Sequence, residues 1–554
     1  MNKKEYRFYS ERIDQFVQAL PHFIYQESVP LQGRYALFEP MLPFSQRLEK
    51  EFKPINIGDS WGENWQTAWF HLEGYVPKAW KNNPVVARIN IGGEALVFLP
   101  TGEAVESLSN HSIFSDHFTK DRLHIAHSAE GDEHVELWLE ATAAEILGLC
   151  QSPDPDEQDP RREGHYTARV RHMELALFRQ DIWQLYLDAM VLFSQTKVLP
   201  KTSVRHAHLF RNLNQAADMF APDQERVEKT RELLQPYLQE KTSPAYELST
   251  RAIGHAHIDT QWLWPLDETI RKCARTFANQ LSLIKRYSGY VFGASQPQHY
   301  QFVKDHYPEI YRRVVKAVAQ GRWELQGGMW VEADCNLIDG ESMVRQILYG
   351  KQFFKKEFGV NVRNLWLPDV FGYSAALPQI MKKSGLSVLV TQKISWNQFN
   401  RFPHHTFRWQ GIDGSEVITH FPPEDDYNSA LRPETLVHAQ NNFAEKAFLD
   451  EFLTLYGIGD GGGGPTEDIL ETGLRQHDMA GSPRVQFGPA QEMLDRLLPK
   501  DSTLPLWAGE LYLELHRGTL TTQAYNKKMN RRLELLMRQI EFIYSMLPAE
   551  KYPM

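Results

Sequence analysis

From Gly254 the chain reads GHAHIDTQWLWPL. On an extended strand side chains alternate, so His255, His257 and Asp259 face one side. Imidazole and carboxylate groups two residues apart reach one divalent cation, and such a mixed nitrogen and oxygen set suits zinc or a similar ion. A bare HxD more often just caps a strand end. Trp262 and Trp264 follow at once; aromatic faces beside polar groups suit stacking on a sugar, although buried tryptophan is commoner as plain core. In NLWLPDVFGYS the carboxylate of Asp369 comes straight after an apolar run, with low dielectric on one side and solvent on the other. A nucleophile or a metal ligand needs that setting, and a surface turn produces it too. HFPPEDDYNS sets Glu424, Asp425 and Asp426 in a row. Crowding of like charges predicts at least one pKa raised toward that of a general acid, though three adjacent acids usually form a solvated loop. GELYLELHRGTLTTQA adds His516 among hydroxyls and acids, and GDGGGG from Gly459 lacks the Lys-Ser/Thr ending of a phosphate loop. Close backbone approach to a sugar, with Asp460 taking hydroxyls, competes there with a simple turn. Gln296, Gln298, Glu332, Asp334 and Lys393 also fall at or near strand ends, as pocket lining or as structural hydrogen-bond groups. His404 and His405 are assigned no role.

These residues need elements to hold them. Between about Trp61 and Phe178, short β-like runs (TAWFHLEG, VVARINIGG, ALVFLP, HVELWLEA, TARVRHMELALF) predict an antiparallel β-domain. SPDPDEQDPRREG, from Ser152, reads as an exposed loop within it. Helical spacing from Asp181 to about Glu240 predicts a helical connector. After Ser249 strands and helices alternate, the pattern of a parallel α/β domain. Polar and ionisable residues recur at the carboxyl ends of its strands, where barrels and open parallel sheets build their sites.

The 554 residues are 42% hydrophobic and 23% charged, with a formal net charge of −10. That composition is ordinary for folded proteins. With no basic block, nucleic acid is excluded as an expected partner. No apolar h-region follows the first residues and no run of about 18 apolar residues occurs, so neither secretion nor a membrane partner is expected. Cys150, Cys273 and Cys335 are far apart and lack CxxC spacing, which fits reduced thiols in the cytoplasm.

GHAHIDTQWLWPL, LWLPDVFGYSAALPQI, FRWQGIDGSEVITHFPP, YGIGDGGGGPT and GELYLELHRGTLTTQA, in that order, resemble the diagnostic segments of class II α-mannosidases, glycoside hydrolase family 38. The N-terminal GENWQTAWFHLEGYVP and GGEALVF extend the likeness over nearly the whole chain, closest to the cytosolic and bacterial branch. The resemblance implies a multidomain α/β plus β protein. A β-sandwich-like domain (1–180) and the connector (181–248) would precede a (β/α)7-type barrel (249–500) and the start of a helical bundle (501–554). It implies zinc, or another divalent ion such as cobalt, on His257, Asp259, Asp369 and His516, with Asp369 also the nucleophile. His255 supports the site and Trp262 packs on the sugar. The pattern PPxD followed by a small residue, Tyr and Asn places the acid/base on Asp425; Asp426 departs from that pattern. The substrate implied is a mannose-containing oligosaccharide, and a homo-oligomer is left open. Two rivals stand beside this: a metal-dependent amidohydrolase or deacetylase, and an inactive sugar-binding fragment. The last helix, with Met529, Leu533, Leu536, Ile540, Ile543 and Leu547 at steps of three or four, is expected to carry an uncovered apolar stripe that favours self-association.

Overall fold

The computed structural model describes residues 3–109, 119–144, 166–241 and 248–552; the loop expected from Ser152, and Cys150, lie outside the described residues. Two antiparallel sheets follow an N-terminal helix, Lys3–Ala19. One has six strands in the order Lys53–Ile55, Gln32–Phe38, Thr67–Tyr75, His134–Thr142, Glu94–Phe98 and Ala104–Leu108. The other has four, in the order Tyr25–Pro30, His172–Phe178, Val85–Asn90 and Arg122–Ala126. Period-two alternation explains the packing. Ala68, Phe70 and Leu72 of the larger sheet meet Val85, Ala87 and Ile89 of the smaller one in a shared core. Trp69, Leu96, Phe98 and Trp138 point the other way and share a second core with Cys273, Phe277 and Leu281.

Those last three residues belong to the helix Leu266–Arg286, so the larger sheet is buried on both faces and fixed to the α/β part of the chain. The same seam holds a buried ionic network. Lys272 pairs with Glu94, Arg275 with Glu94 and Glu268, and Arg271 with Glu268 at 2.8 Å, while Thr142 donates to Glu268 at 2.9 Å. Burial alone would raise the Glu268 carboxyl, but Arg275, Arg271 and Lys272 outweigh it and bring it down to about 2.

After three helices (Gln180–Val198, Val204–Met219, Gln224–Gln239) the parallel strands begin. Trp323–Leu325, Phe292–Ala294, Ser249–His255 and Glu451–Tyr456 lie side by side, and Arg484–Phe487 also pairs with Ser249–His255. Asn364–Leu367, Val388–Thr391, Glu416–His420, Thr406–Gln410 and Leu506–Ala508 form a second ladder, in which Thr406–Gln410 runs antiparallel to Glu416–His420. Asn364–Leu367 and Val388–Thr391 are buried at every position, as strands covered on both faces must be. Among the described residues the strands fall in two hydrogen-bonded ladders rather than one closed ring.

The helix Ala524–Ser545 contains no buried residue. Polar ties moor it: Glu534 accepts from the Asp339 amide (3.0 Å) and the Ser342 hydroxyl (2.8 Å), and Arg345 pairs with Glu541 at 2.7 Å. Its predicted stripe of Leu533, Leu536, Ile540 and Ile543 is exposed. No helix among the described residues is long and apolar enough to cross a membrane.

The seam predicts a large effect for one side chain. Glu268→Ala leaves Arg275 and Lys272 buried without a full complement of carboxylate, and is expected to cost about 3–5 kcal/mol in chemical denaturation. Because the folded-state pKa of Glu268 lies below its unfolded value of about 4.3, its contribution is complete above that value and disappears as pH falls toward 2. The difference between wild type and variant should therefore shrink in acid; a gap independent of pH between 6 and 3 would show that the charge of Glu268 is not what stabilises the seam.

Candidate active site

The strand Ser249–His255 ends at His255, which is buried, accepts from Trp366 Nε1 at 3.2 Å and lies 3.4 Å from the Tyr427 carbonyl. Burial and the neighbouring His257 push its pKa down to about 3, so it stays neutral. It braces three strand ends from beneath. His257 lies just past the strand end, itself buried, with Nδ1 3.2 Å from Glu332 Oε2 and Nε2 3.6 Å from both Asp259 Oδ1 and Asp369 Oδ2. Neither ring nitrogen makes an aligned hydrogen bond.

Asp369 follows Asn364–Leu367, and its other oxygen is paired with the buried Lys393, whose ammonium lies over the Trp396 ring at 3.8 Å. Asp460 comes from the glycine run. Its residue adopts a left-handed φ of 58°, its backbone carbonyl accepts from the Asp259 amide at 3.0 Å, and its carboxylate accepts from the Tyr427 hydroxyl at 2.9 Å. Burial, with help from Asp369 and Asp259 and against the opposing effect of His257, lifts the Asp460 carboxyl to about 6. The run itself is a packed turn. The Gly463 amide donates to Thr276 Oγ1 at 2.9 Å, and a Cβ on Gly462 would meet that same oxygen at 2.5 Å.

Four carboxylates thus converge on one imidazole and one lysine. Burial alone would lower the His257 pKa, yet Glu332 and Asp259 raise it well above its usual value: the site demands positive charge. Ligand atoms of His257, Asp369 and Asp460 lie within 4.8 Å of one another. Spacings of 3.6 Å are too long for hydrogen bonds and close to the roughly 3.3–3.6 Å edge of a tetrahedron with 2.0–2.2 Å metal bonds. Glu332, behind Nδ1, stands where a carboxylate orients a ligating histidine. The residues fit a divalent ion.

Asp425 and Asp426 follow the strand Glu416–His420. Asp425 has φ 61°, accepts from Asn442 Nδ2 at 2.8 Å and lies 3.4 Å from His438 Nε2. Asp426 accepts from its own turn amide at Asn428 (2.8 Å). Both carboxyls are raised, and Glu424 behind them is lifted to about 7. Burial is the main cause for all three, and like-charge crowding, the cause expected from sequence, is minor. Asp425, Asp426 and Asp460 line one cavity of about 690 Å³.

Residues 247–510 match the Glycosyl hydrolases family 38 N-terminal domain, and residues 30–167 match the Alpha-mannosidase, jelly roll domain. The chain carries a family 38 glycosyl hydrolase domain behind an α-mannosidase jelly roll. It is 36% identical to Alpha-mannosidase 2C1 of Homo sapiens, over 99% of this chain and 52% of that protein. It is 35% identical to Alpha-mannosidase G of Dictyostelium discoideum, over 97% of this chain and 49% of that one. Alpha-mannosidase of Saccharomyces cerevisiae matches at 34%, over 89% and 47%. The chain spans about half the length of these curated relatives.

In this family 38 domain, the structure brings His257, Asp259, Asp369 and Asp460 together. His516 stands at the rim, exposed, its ring 4.8 Å from Phe371 and 6.1 Å from Trp396; Lys393 and Asp369 both act on its charge. Trp262 is 47% exposed beside buried Trp264, as a stacking surface must be. Glu332 and Lys393 are in direct contact with the cluster. Gln298 instead accepts from Trp330, and Asp334 caps a turn through the Asn336 and Leu337 amides. Gln296 bridges, accepting from the Glu332 amide (3.1 Å) and donating to the Ile258 carbonyl (3.0 Å). Two participants escaped sequence reasoning. Tyr427 could have been found by its place directly after the acids; His299, 3.3 Å from the Thr260 hydroxyl, carried no signal.

Glu332→Gln should weaken zinc affinity roughly 10–100-fold while leaving thermal stability nearly unchanged. Competition against a chromophoric chelator measures it; equal affinity in both proteins would leave Glu332 a structural residue only.

Proposed function

We propose that the chain is a metal-assisted, retaining exo-α-mannosidase of the cytoplasm, built on a (β/α)-barrel-like domain and removing terminal α-linked mannose from oligosaccharides. The observation that carries this reading is the placement of Asp369: one oxygen is held by Lys393, the other lies 3.6 Å from His257 Nε2. A carboxylate so held is aimed, as a nucleophile must be. Asp369 attacks the anomeric carbon while Asp425, its carboxyl raised by burial, protonates the departing oxygen. Asp425 then takes a proton from the water that releases the glycosyl group, so two inversions give net retention. His257, Asp259, Asp369 and His516 are the residues that would hold zinc or cobalt, with Asp460 beside them. Such an ion supplies an anchor for adjacent sugar hydroxyls and neutralises charge near the reacting carbon. Asp460 accepts sugar hydroxyls, Trp262 covers the ring and His255 sets the register of the site from below.

Three measurements test this. The purified chain should hydrolyse an aryl α-mannoside, release α-mannose first by NMR, and lose activity with a chelator. His257→Ala and His516→Ala should each lower bound metal and turnover together. Asp425→Ala should slow substrates with poor leaving groups far more than activated aryl mannosides; a stronger effect at Asp426 would transfer the acid/base role there, and β-mannose as first product would overturn the double displacement.

A further inference from the structure

The general acid faces the leaving group, so what lies beyond Asp425 and Asp426 is where the rest of the substrate must go. The cavity that these aspartates share with Asp460 extends away from the cluster to Arg122 on the jelly-roll strand Arg122–Ala126 and to Tyr186 on the helix Gln180–Val198. Its volume of about 690 Å³ falls in the range of pockets that enclose ligands of several rings, about 300–1,000 Å³. The far wall is fixed in place. Glu467 is held by Arg122 (2.9 Å) and His124 (3.0 Å) from the jelly roll and by Arg286 (3.2 Å) from the helix Leu266–Arg286. Asp468 accepts from Trp183 Nε1 at 2.8 Å.

Within that wall some polar groups are unused. The Arg432 guanidinium is exposed and makes no hydrogen bond or ion pair with the described residues. The half-buried Tyr186 hydroxyl makes no hydrogen bond with them either. A guanidinium and a phenol on one cavity wall match the hydroxyl donors and acceptors of a sugar, with the tyrosine ring available to its apolar face. Carboxylates outnumber cations along the lining, which favours an uncharged sugar chain over a phosphorylated one.

Resting on the mannosidase reading, we propose that this cavity is the leaving-group subsite, that the jelly roll and the connecting helix complete it, and that Tyr186 and Arg432 select neutral oligosaccharides over single-sugar glycosides. The test compares kcat/KM for an α-linked mannotriose with kcat/KM for p-nitrophenyl α-mannoside, whose leaving group is too short to reach the far wall. In Arg432→Ala and Tyr186→Ala the ratio of the two should fall about tenfold, through the KM of the triose. Tyr186→Phe, which keeps the ring and removes only the hydroxyl, should fall less and guards against a folding defect in Tyr186→Ala. A triose phosphorylated on its leaving-group portion should be the poorer substrate of wild type. An unchanged ratio in Arg432→Ala and both Tyr186 variants, or a proportional loss on both substrates, overturns the subsite while leaving the mannosidase reading in place. Failure of the wild-type chain to cleave even the aryl mannoside rejects that reading, and the subsite with it.

Discussion

Four carboxylates brought against one buried imidazole repel one another, and the rest of this site can be understood as the means of tolerating that repulsion. Asp259, Glu332, Asp369 and Asp460 arrive on four separate segments, and among the described residues Lys393 and His257 offset them. In a region of low dielectric such a cluster is stable only with added positive charge, supplied by a proton on His257 or by a metal ion. The raised pKa of His257 and the lifted carboxyl of Asp460 are two expressions of the same imbalance. Affinity for a cation therefore follows from the placement of the acids, and their placement follows from strands that all end at one edge.

Holding the edges in register falls to groups outside the cluster. His255 ties the ends of Ser249–His255, Asn364–Leu367 and the segment after Glu416–His420 through Trp366 and the Tyr427 carbonyl. Gln296 links the segment after Phe292–Ala294 to the Ile258 carbonyl and the Glu332 amide. Further out, the ionic seams at Glu268 and Glu467 fasten the jelly roll. Buried ion pairs of this kind add little net stability compared with well-packed apolar groups, but they penalise any shifted arrangement heavily. Here they fix the jelly roll in one position, which is what a shared cavity wall requires.

Much of this was legible from sequence because the chemistry sits at strand ends, where an apolar run stops and a polar residue follows. Asp369 after LWLP, His257 and Asp259 after RAIGHA, and the acids Glu424, Asp425 and Asp426 after EVITHFPP stand out that way, as do most parallel strands; the choice of Asp425 among the three comes from the family resemblance. What was not legible has physical reasons. Thr406–Gln410, Arg484–Phe487 and Leu506–Ala508 are short strands whose pairing depends on neighbours far away in sequence. Lys393 and Glu332 could be named only as lining, because a lysine or glutamate near a strand end is as often solvated as it is paired. Alternation suggested that His255, His257 and Asp259 share a face; the strand ends at His255 instead, and His257 and Asp259 reach the cluster from irregular backbone. The glycine run around Asp460 says nothing in sequence of where its backbone leads. The tertiary turn around Thr276 carries it to His257.

Backbone strain is also present at the site. Gln296, Asp425, Asp460 and His516 all adopt left-handed φ values between 53° and 62°, a conformation that costs a non-glycine residue on the order of 1–3 kcal/mol. Asparagine or glycine would relieve it at any of the four. None could then place the same side chain: Asp460 reaches the cluster and Tyr427, Gln296 bridges two segments, Asp425 takes its partners from Asn442 and His438, and His516 turns its ring onto Phe371. The left-handed turn aims the buried Gln296 and Asp460 side chains inward from segments that have already left their strands. Strain and like-charge crowding thus have one origin, since polar groups from many strand ends can meet at one point only if several chains bend sharply to get there, and the packed strands and ionic seams around them supply the stability that makes the bend tolerable.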